Sequence, residues 1–408
     1  MQIDILDPRF YDDPWDGYRW LRNNDPVHWD EANGLWVVSK HEDVSHVSRH
    51  QERYSAAQGV RPKVAAPMSI ISMDDPEHTR QRRLINKGFT PAKVRLLSEH
   101  MKEITNSILD EIEGRGEVDF VEDFAIHLPL IIIAEMMGLD PESRDRLYRW
   151  SDAMMAGDGH TDADSPQLHA AAEAFGEYVG VCAQLVEERR GRHDLDDLIS
   201  ILTNAKDSGE LTQGGMAADL QPVEDGGLSS DELFMFLTLL VVAGNETTRN
   251  ALTGGMLAFS LFPDQKEKLL ANPELIDLTV DEIVRYVTPV MTFNRTVTET
   301  HEYKGRTLKE GDKVLMLYGS ANRDEDVFED PDEFRIDRDP NPHLGFGIGT
   351  HFCLGANLAR AEVKTVFTEL FARLRDIEIV PGAQLERGDS TLVLALQHLP
   401  AQFTPVLR

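Results

Sequence analysis

The 408-residue chain is predicted to be mainly α with smaller β regions, an α+β fold. Three observations point there. Apolar residues recur at helical spacing from Pro76 to about Gly138, with one interruption near Glu117–Asp119, and again over Ser165–Arg190 and Leu195–Asn204. A single run, Asp231–Phe262, is apolar nearly all round, as expected of a helix buried on every side. Strand-like alternation is confined to short pieces.

Taken in order, "PVHWD" (Pro26–Asp30) and "GLWVVSK" (Gly34–Lys40) alternate like a strand pair joined by a glycine-containing turn. Asp43–His50 reads as a short helix. Pro76 occupies the favoured first position of the next one. Asp207–Gly227 is rich in glycine and acid and reads as an exposed loop, with Gln213–Gly227 resembling an insert. "SSDE" at Ser229–Glu232 is a capping box that opens the long central helix, about 48 Å at ~1.5 Å per residue. "KVLMLY" (Lys313–Tyr318) and "STLVLAL" (Ser390–Leu396) read as late strands, and a last long helix follows Cys353. No repeat or linker divides the chain, so residues 1–408 are expected to form a single domain.

Lys and Arg number 41 against 71 Asp and Glu, a formal net charge of -30. This balance argues against a nucleic-acid partner, which needs clustered positive charge. Two cysteines, Cys182 and Cys353, cannot form a disulfide framework. The first residues lack the basic and apolar regions of a signal peptide. The longest apolar stretches, such as Leu128–Leu139, are about half the ~20 residues a bilayer span requires. A cytoplasmic protein without membrane insertion is expected.

The most informative segment is "FGIGTHFCLGANLARAE", Phe346–Glu362. Gly347 and Gly349 permit sharp turns. Cys353 precedes a helix, whose free N–H groups and dipole stabilise a thiolate. Gly355 removes bulk where a flat ligand can lie. A zinc site built from His343, His351 and Cys353 is a weaker alternative, since it lacks a second thiolate and paired ligand spacing. The order Phe346, Gly347, Gly349, His351, Cys353, Gly355, Leu358, Ala359, Arg360 resembles the heme-thiolate loop of the cytochrome P450 family. The resemblance extends from about residue 10 to the C-terminus.

That resemblance implies the P450 fold, with heme b between the long central helix and the helix after the cysteine loop. It implies Cys353 as the proximal iron ligand, with Phe346, Gly347 and Gly244 against the cofactor. In the central helix, Gly244, Asn245, Glu246, Thr247 and Thr248 interrupt the apolar run, and a local distortion is expected there. This stretch is similar to the family's oxygen-activating helix, with Glu246 and Thr247 as its acid–alcohol pair. Many relatives carry Asp at the first of these positions. Glu282 and Arg285 in "DEIVRY" match a buried structural pair whose third member is Arg338, with Arg335 as the other candidate. His78 and Arg82, together with Arg295 and His351, match the donors to the heme propionates.

Implied partners are O2, a small hydrophobic substrate, and a ferredoxin or flavodoxin-type electron donor with its reductase, because the chain carries no flavin or iron–sulfur motif. Arg360 and Lys364, with Arg80, Arg83 and Lys87, are expected to form a basic docking patch. "AGNETTRN", "NPHLGFG" and "SANRDEDVF" resemble the bacterial branch that oxidises steroid and cholesterol side chains or branched lipids. The apolar segment Ser55–Ser72 suits such a substrate. Terpenoids, fatty acids and natural-product intermediates are the alternatives. A peroxygenase and a non-enzymatic heme sensor or carrier are rival classes; neither accounts for Glu246–Thr247.

Overall fold

A computed structural model of the chain describes residues 3–63, 68–156, 164–205, 227–388 and 390–406. Along it run α1 (Trp15–Asn24), β1 (Val27–Asp30), β2 (Leu35–Val38), α2 (His41–Arg49), β3 (Tyr54–Ser55), α3 (Glu77–Asn86), α4 (Pro91–Ile112), β4 (Glu117–Asp119), α5 (His127–Met137), α6 (Pro141–Ala156), α7 (Pro166–Arg189) and α8 (Leu198–Thr203). Then come α9 (Ser230–Leu261), α10 (Pro263–Ala271), α11 (Ile276–Val287), β5 (Thr292–Val297), β6 (His301–Tyr303), β7 (Arg306–Leu308), β8 (Lys313–Leu317), α12 (Tyr318–Ala321), α13 (Ala356–Arg373), β9 (Glu378–Ile379) and β10 (Pro400–Gln402). The chain divides into two compact units. One comprises Met1–Ala65, Leu96–Leu128 and Glu246–Arg408; the other comprises Ala66–Arg95 and Pro129–Asn245.

The first unit holds a sheet of order β1-β2-β8-β5-β3. Gly34, at φ +64°, makes the turn that sets Val27 opposite Val38 in the antiparallel β1–β2 pair. β8 lies parallel to β2 and antiparallel to β5. Val314 and Met316 pack into one apolar cluster with Val38, Val44 and Tyr54. Leu315 and Leu317 enter another with Tyr11, Tyr18 and Leu21. Burial on both faces explains why "KVLMLY" is continuously apolar.

In the second unit, Ser165 caps α7 by accepting from Leu168 N. Tyr178 of α7 is buried, and its hydroxyl donates to Leu237 O of α9 at 2.7 Å. Cys182, one turn on, is wholly buried, and burial pushes its thiol up to about 12.

The expected capping box is present: Ser229 Oγ accepts from Glu232 N at 3.2 Å, and Glu232 Oε2 accepts from Ser229 N at 2.7 Å. α9 then runs unbroken through Gly244–Thr248, so the distortion expected from sequence does not occur. Gly244 has a packing reason instead. A Cβ there would lie 2.6 Å from Ile133 Cδ1 of α5. Three other expectations change. Among the described residues "STLVLAL" forms no strand; it makes only isolated bridges, Val290 to Val393 and Arg387 to Leu396. Pro76 precedes α3 as its capping residue rather than starting it. The interruption at Glu117–Asp119 is β4, paired with β10. Gln213–Gly227, apart from Gly227, lies outside the described residues.

Glu282, Arg285 and Arg338 form the buried network expected of them. Arg285 Nε and Nη2 reach Glu282 at 2.7 and 2.8 Å, and Arg338 Nε reaches it at 3.1 Å. Arg285 also donates to the carbonyls of Asn322, Pro331 and Glu333, and Arg338 to that of Glu329. Arg335 contributes its backbone N–H to Glu282 at 2.8 Å, while its side chain reaches Glu329 and Asp330. Each buried charge is thus matched by opposite charge or by carbonyls. Glu282→Gln leaves two buried guanidinium groups facing a neutral amide. It is expected to cost about 3–5 kcal/mol in denaturant unfolding and to lower heme loading, read from the Soret-to-280 nm ratio.

Candidate active site: a cysteine loop and a central helix

The loop before α13 is fixed by its backbone. Leu344 N donates to Asn322 Oδ1 at 2.7 Å, Gly347 N to Leu344 O at 2.8 Å, and Cys353 N to Phe346 O at 2.8 Å. Gly347 and Gly349 sit at φ +67° and +77°. A Cβ on Gly349 would come within 2.9 Å of Ser48 O, so this position needs glycine twice over. A short turn, Gly349–His351, then leads to α13 with Gly355 as its capping residue. Cys353 is exposed, whereas Cys182 is not. A Cβ on Gly355 would meet nothing within 4 Å, so open space adjoins the start of α13. Arg360 lies over the Phe346 ring, 4.5 Å from its centroid.

In α9, Leu239, Leu240, Val241, Ala251 and Leu252 are buried, but Ala243, Gly244 and Thr247 between them are only half-buried. These three share one side of the helix by their spacing. Glu246 is buried, and Arg249 Nη2 bonds its Oε2 at 2.5 Å. On another side, Gly255 meets the Phe367 ring of α13, where an added Cβ would lie 2.9 Å from Cζ.

Next to that contact, Glu362 of α13 is only 2% exposed. Burial pushes its carboxyl up to about 8, against a smaller opposing effect of the Thr248 hydroxyl. The sequence reasoning missed this residue. The signal was its spacing: Leu358, Glu362 and Val366 recur every four residues on the buried side of α13.

The cationic candidates lie as follows. His351 is in the cysteine loop. Arg295 is buried on β5 and donates to Asn294 O at 2.9 Å. His78 is buried in the first turn of α3, its Nδ1 3.8 Å from Asp75 Oδ1. Arg82, one turn on, donates to Asn86 Oδ1 at 3.2 Å. Cys353, His351, Arg295, Glu246 and Thr247 belong to the first unit; His78, Arg82 and Gly244 belong to the second. Among the described residues, His343, His351 and Cys353 form no metal-binding group. The grouping that does occur is Asp119, Glu122 and His398, away from the loop in sequence and already joined by a 2.7 Å His398–Asp119 bond.

The expected basic patch is largely neutralised. Arg360 Nε bonds Asp281 at 2.8 Å, and Lys364 Nζ bonds Asp277 at 2.7 Å. Arg80 is buried and pairs with Glu77 and Glu232. No helix among the described residues is long and apolar enough to cross a membrane.

An exposed thiol at the head of one core helix, beside a second core helix carrying a buried acid and an adjacent alcohol, is the arrangement expected of a heme-thiolate site. The comparisons with known proteins agree. Residues 163–405 match the cytochrome P450 family. A steroid C26-monooxygenase of Rhodococcus jostii is 39% identical, covering 92% of this chain and 79% of its own length. One from Mycolicibacterium smegmatis is 34% identical, covering 99% and 96%. The solved structure of CYP109E1 from Bacillus megaterium in complex with testosterone is 32% identical, with a TM-score of 0.84 over 96% of this chain and 99% of that one. The chain belongs to the cytochrome P450 family. It is a heme-dependent monooxygenase acting on a hydrophobic substrate with O2 and electrons from a redox partner.

The residues present fit heme. Cys353 is exposed while Cys182 is locked in a core, open space adjoins Gly355, and Arg295 is a buried nitrogen donor of the kind that holds carboxylates. Glu362 makes a separate, checkable statement. Its folded-state value of about 8 lies above the ordinary 4.5, so between those values the folded state holds a proton that the unfolded state releases. Its contribution to stability is full below about 4.5 and is lost as pH rises toward 8. Calorimetry of the heme-loaded protein is expected to show a fall in thermal midpoint from pH 5 to 8 that Glu362→Gln flattens.

Proposed function

We propose that this chain hydroxylates a steroid or sterol, with Cys353 as the proximal ligand of its heme. The observation that carries the assignment of Cys353 is its exposure in a glycine-built loop just before α13. Support for the substrate class comes from relatives named steroid C26-monooxygenase that align over nearly the whole chain. When bound, heme supplies the iron centre at which O2 is reduced and one oxygen atom is delivered to a C–H bond.

The chain's own residues hold and feed that centre. Cys353 gives its thiolate as the ligand that donates electron density. Arg295 and His351 would donate hydrogen bonds to the propionates. Phe346 and Gly347 would leave room for the ring. Thr247, on the half-exposed side of α9, holds a water with its hydroxyl. Glu246 passes protons to that water, its carboxylate placed by Arg249. Apolar side chains of the segment Ser55–Ser72 exclude bulk water from the substrate; its residues 64–67 lie outside the described residues. Electrons come from a ferredoxin or flavodoxin-type protein with its reductase.

Side-by-side titration with sterols, fatty acids and terpenes is expected to give the low-spin to high-spin Soret shift with sterols at the lowest concentration; a stronger response to another class overturns the steroid assignment. Cys353→Ser is expected to abolish the red-displaced ferrous carbon monoxide band. Thr247→Ala is expected to keep heme and the substrate-induced spin shift while diverting most electrons into hydrogen peroxide, measured as NADH consumed against product formed.

A further inference from the structure

The last turn of α2 is a seat for the cysteine loop. A Cβ on Gly349 would lie 2.9 Å from Ser48 O and 3.4 Å from Arg49 Cα, so the second left-handed glycine of the loop rests on that turn. The turn is closed by histidine. His50 donates both its backbone N–H, at 3.2 Å, and its Nδ1–H, at 2.8 Å, to His46 O. The His46 ring stacks on Tyr303 of β6, with centroids 4.5 Å apart and planes at 17°, and lies 4.2 Å from the His50 ring. Tyr54 of β3 meets it edge-on at 5.7 Å. Tyr303 is itself fixed, since its hydroxyl donates to the buried Asp43 Oδ1 of α2 at 2.6 Å. Beside it, His301 donates from Nδ1 to Glu299 O at 2.9 Å, which leaves its Nε2 to accept from the Tyr54 hydroxyl at 2.9 Å.

This setting disfavours a charged His46. Its Nε2 is buried and has no hydrogen-bond partner among the described residues. Burial first, then His50, Arg53 and His301, hold the ring below its ordinary 6.5, and Glu52 alone opposes them, more weakly. The other charges nearby, Asp43, Glu42 and Lys304, lie around Tyr303 and satisfy one another: Lys304 Nζ pairs with Asp43 at 2.6 Å and also with Glu42. A leucine or phenylalanine would fill the place of His46 without a proton-binding group, whereas an imidazole there responds to pH.

We propose that His46 is a positioning residue for Cys353, acting through α2: its neutral ring on Tyr303 is a latch, and a proton on that ring opens the stack, loosens the last turn of α2 and releases the loop seated there at Gly349. The sign of the response is fixed. A histidine held below its ordinary value binds fewer protons folded than unfolded in the interval beneath 6.5. Its contribution to stability is present above about 6.5 and is lost as pH falls through that interval. Glu362 gives the opposite trend, so the two are separable. The proposal rests on the assignment of Cys353 as the heme ligand given above.

The test compares the wild type with His46→Phe, which keeps a ring against Tyr303 but takes no proton, and with Tyr303→Leu, which removes the stack at every pH. Two readouts are followed from about pH 7.5 to about pH 5 in the heme-loaded protein: the ferrous carbon monoxide band, and the hydrogen-exchange protection factors of the His50, Gly347 and Cys353 amides. In the wild type, acidification is expected to lower protection at these amides several-fold and to convert part of the red-displaced band to a blue-shifted one. His46→Phe is expected to hold both near their neutral values, and Tyr303→Leu to show the acid form already at neutral pH. Should His46→Phe fail to load heme, His46→Gln, equally unable to take a proton, decides by the same readouts. An acid response in the His46 variants equal to that of the wild type overturns the proposal, as does wild-type protection that stays constant across the range. A carbon monoxide band that is never red-displaced overturns the ligand assignment, and the latch as a device for Cys353 falls with it.

Discussion

The Glu282 carboxylate is the contact on which the reactive loop depends. It receives Arg285 and Arg338, the backbone of Arg335 and the side chain of Asn341. Through Arg285 it also ties down the carbonyl of Asn322, whose own amide oxygen accepts from Leu344 at the entrance to the cysteine loop. A charge sealed from solvent tolerates few arrangements, because every lone pair and every N–H must find a partner there. The chain between residues 322 and 344 is held by that demand rather than by regular secondary structure. The loop that follows can then bend through two left-handed glycines and still leave Cys353 exposed.

The two faces of the chemistry are built by different means. On the cysteine side the backbone does the shaping, through turns and short hydrogen bonds. On the side of the central helix the backbone is regular, and side chains make the difference: a half-buried Thr247 and a buried Glu246 leave one axis in different directions, while the neutral-leaning Glu362 belongs to α13. A continuous helix positions such groups better than a kinked one, since rotation per residue alone decides which way each faces. Gly244 contributes by letting α5 come close.

Much of this was legible in the sequence, and what was not has identifiable causes. The limits of α9 fall within one residue of those predicted, because the capping box and all-round apolarity are local signals. Glu282 and Arg285 were found because opposite charges one turn apart, set among apolar residues, point to a pair buried together. Arg338 could be narrowed only to two arginines, since choosing needs the fold. "STLVLAL" alternates as a strand does, yet alternation does not say whether a partner strand lies alongside; single bridges were all it found. The basic patch failed for a related reason. Arg360 and Lys364 meet Asp281 and Asp277, about eighty residues away, and such compensation leaves no mark near the cations. Glu362 was hidden by its surroundings, a carboxylate among residues read simply as apolar helix.

The contrast between the two sulfurs bears on how the protein ages. Cys182 is sealed in a core with its thiol held protonated, so alkylating agents and peroxide find nothing there to attack. All thiol reactivity is therefore concentrated in Cys353. With Cys353 as the proposed ligand, the bound cofactor would double as its protecting group, and the enzyme's own escaped peroxide would be a hazard chiefly to molecules that have lost their porphyrin.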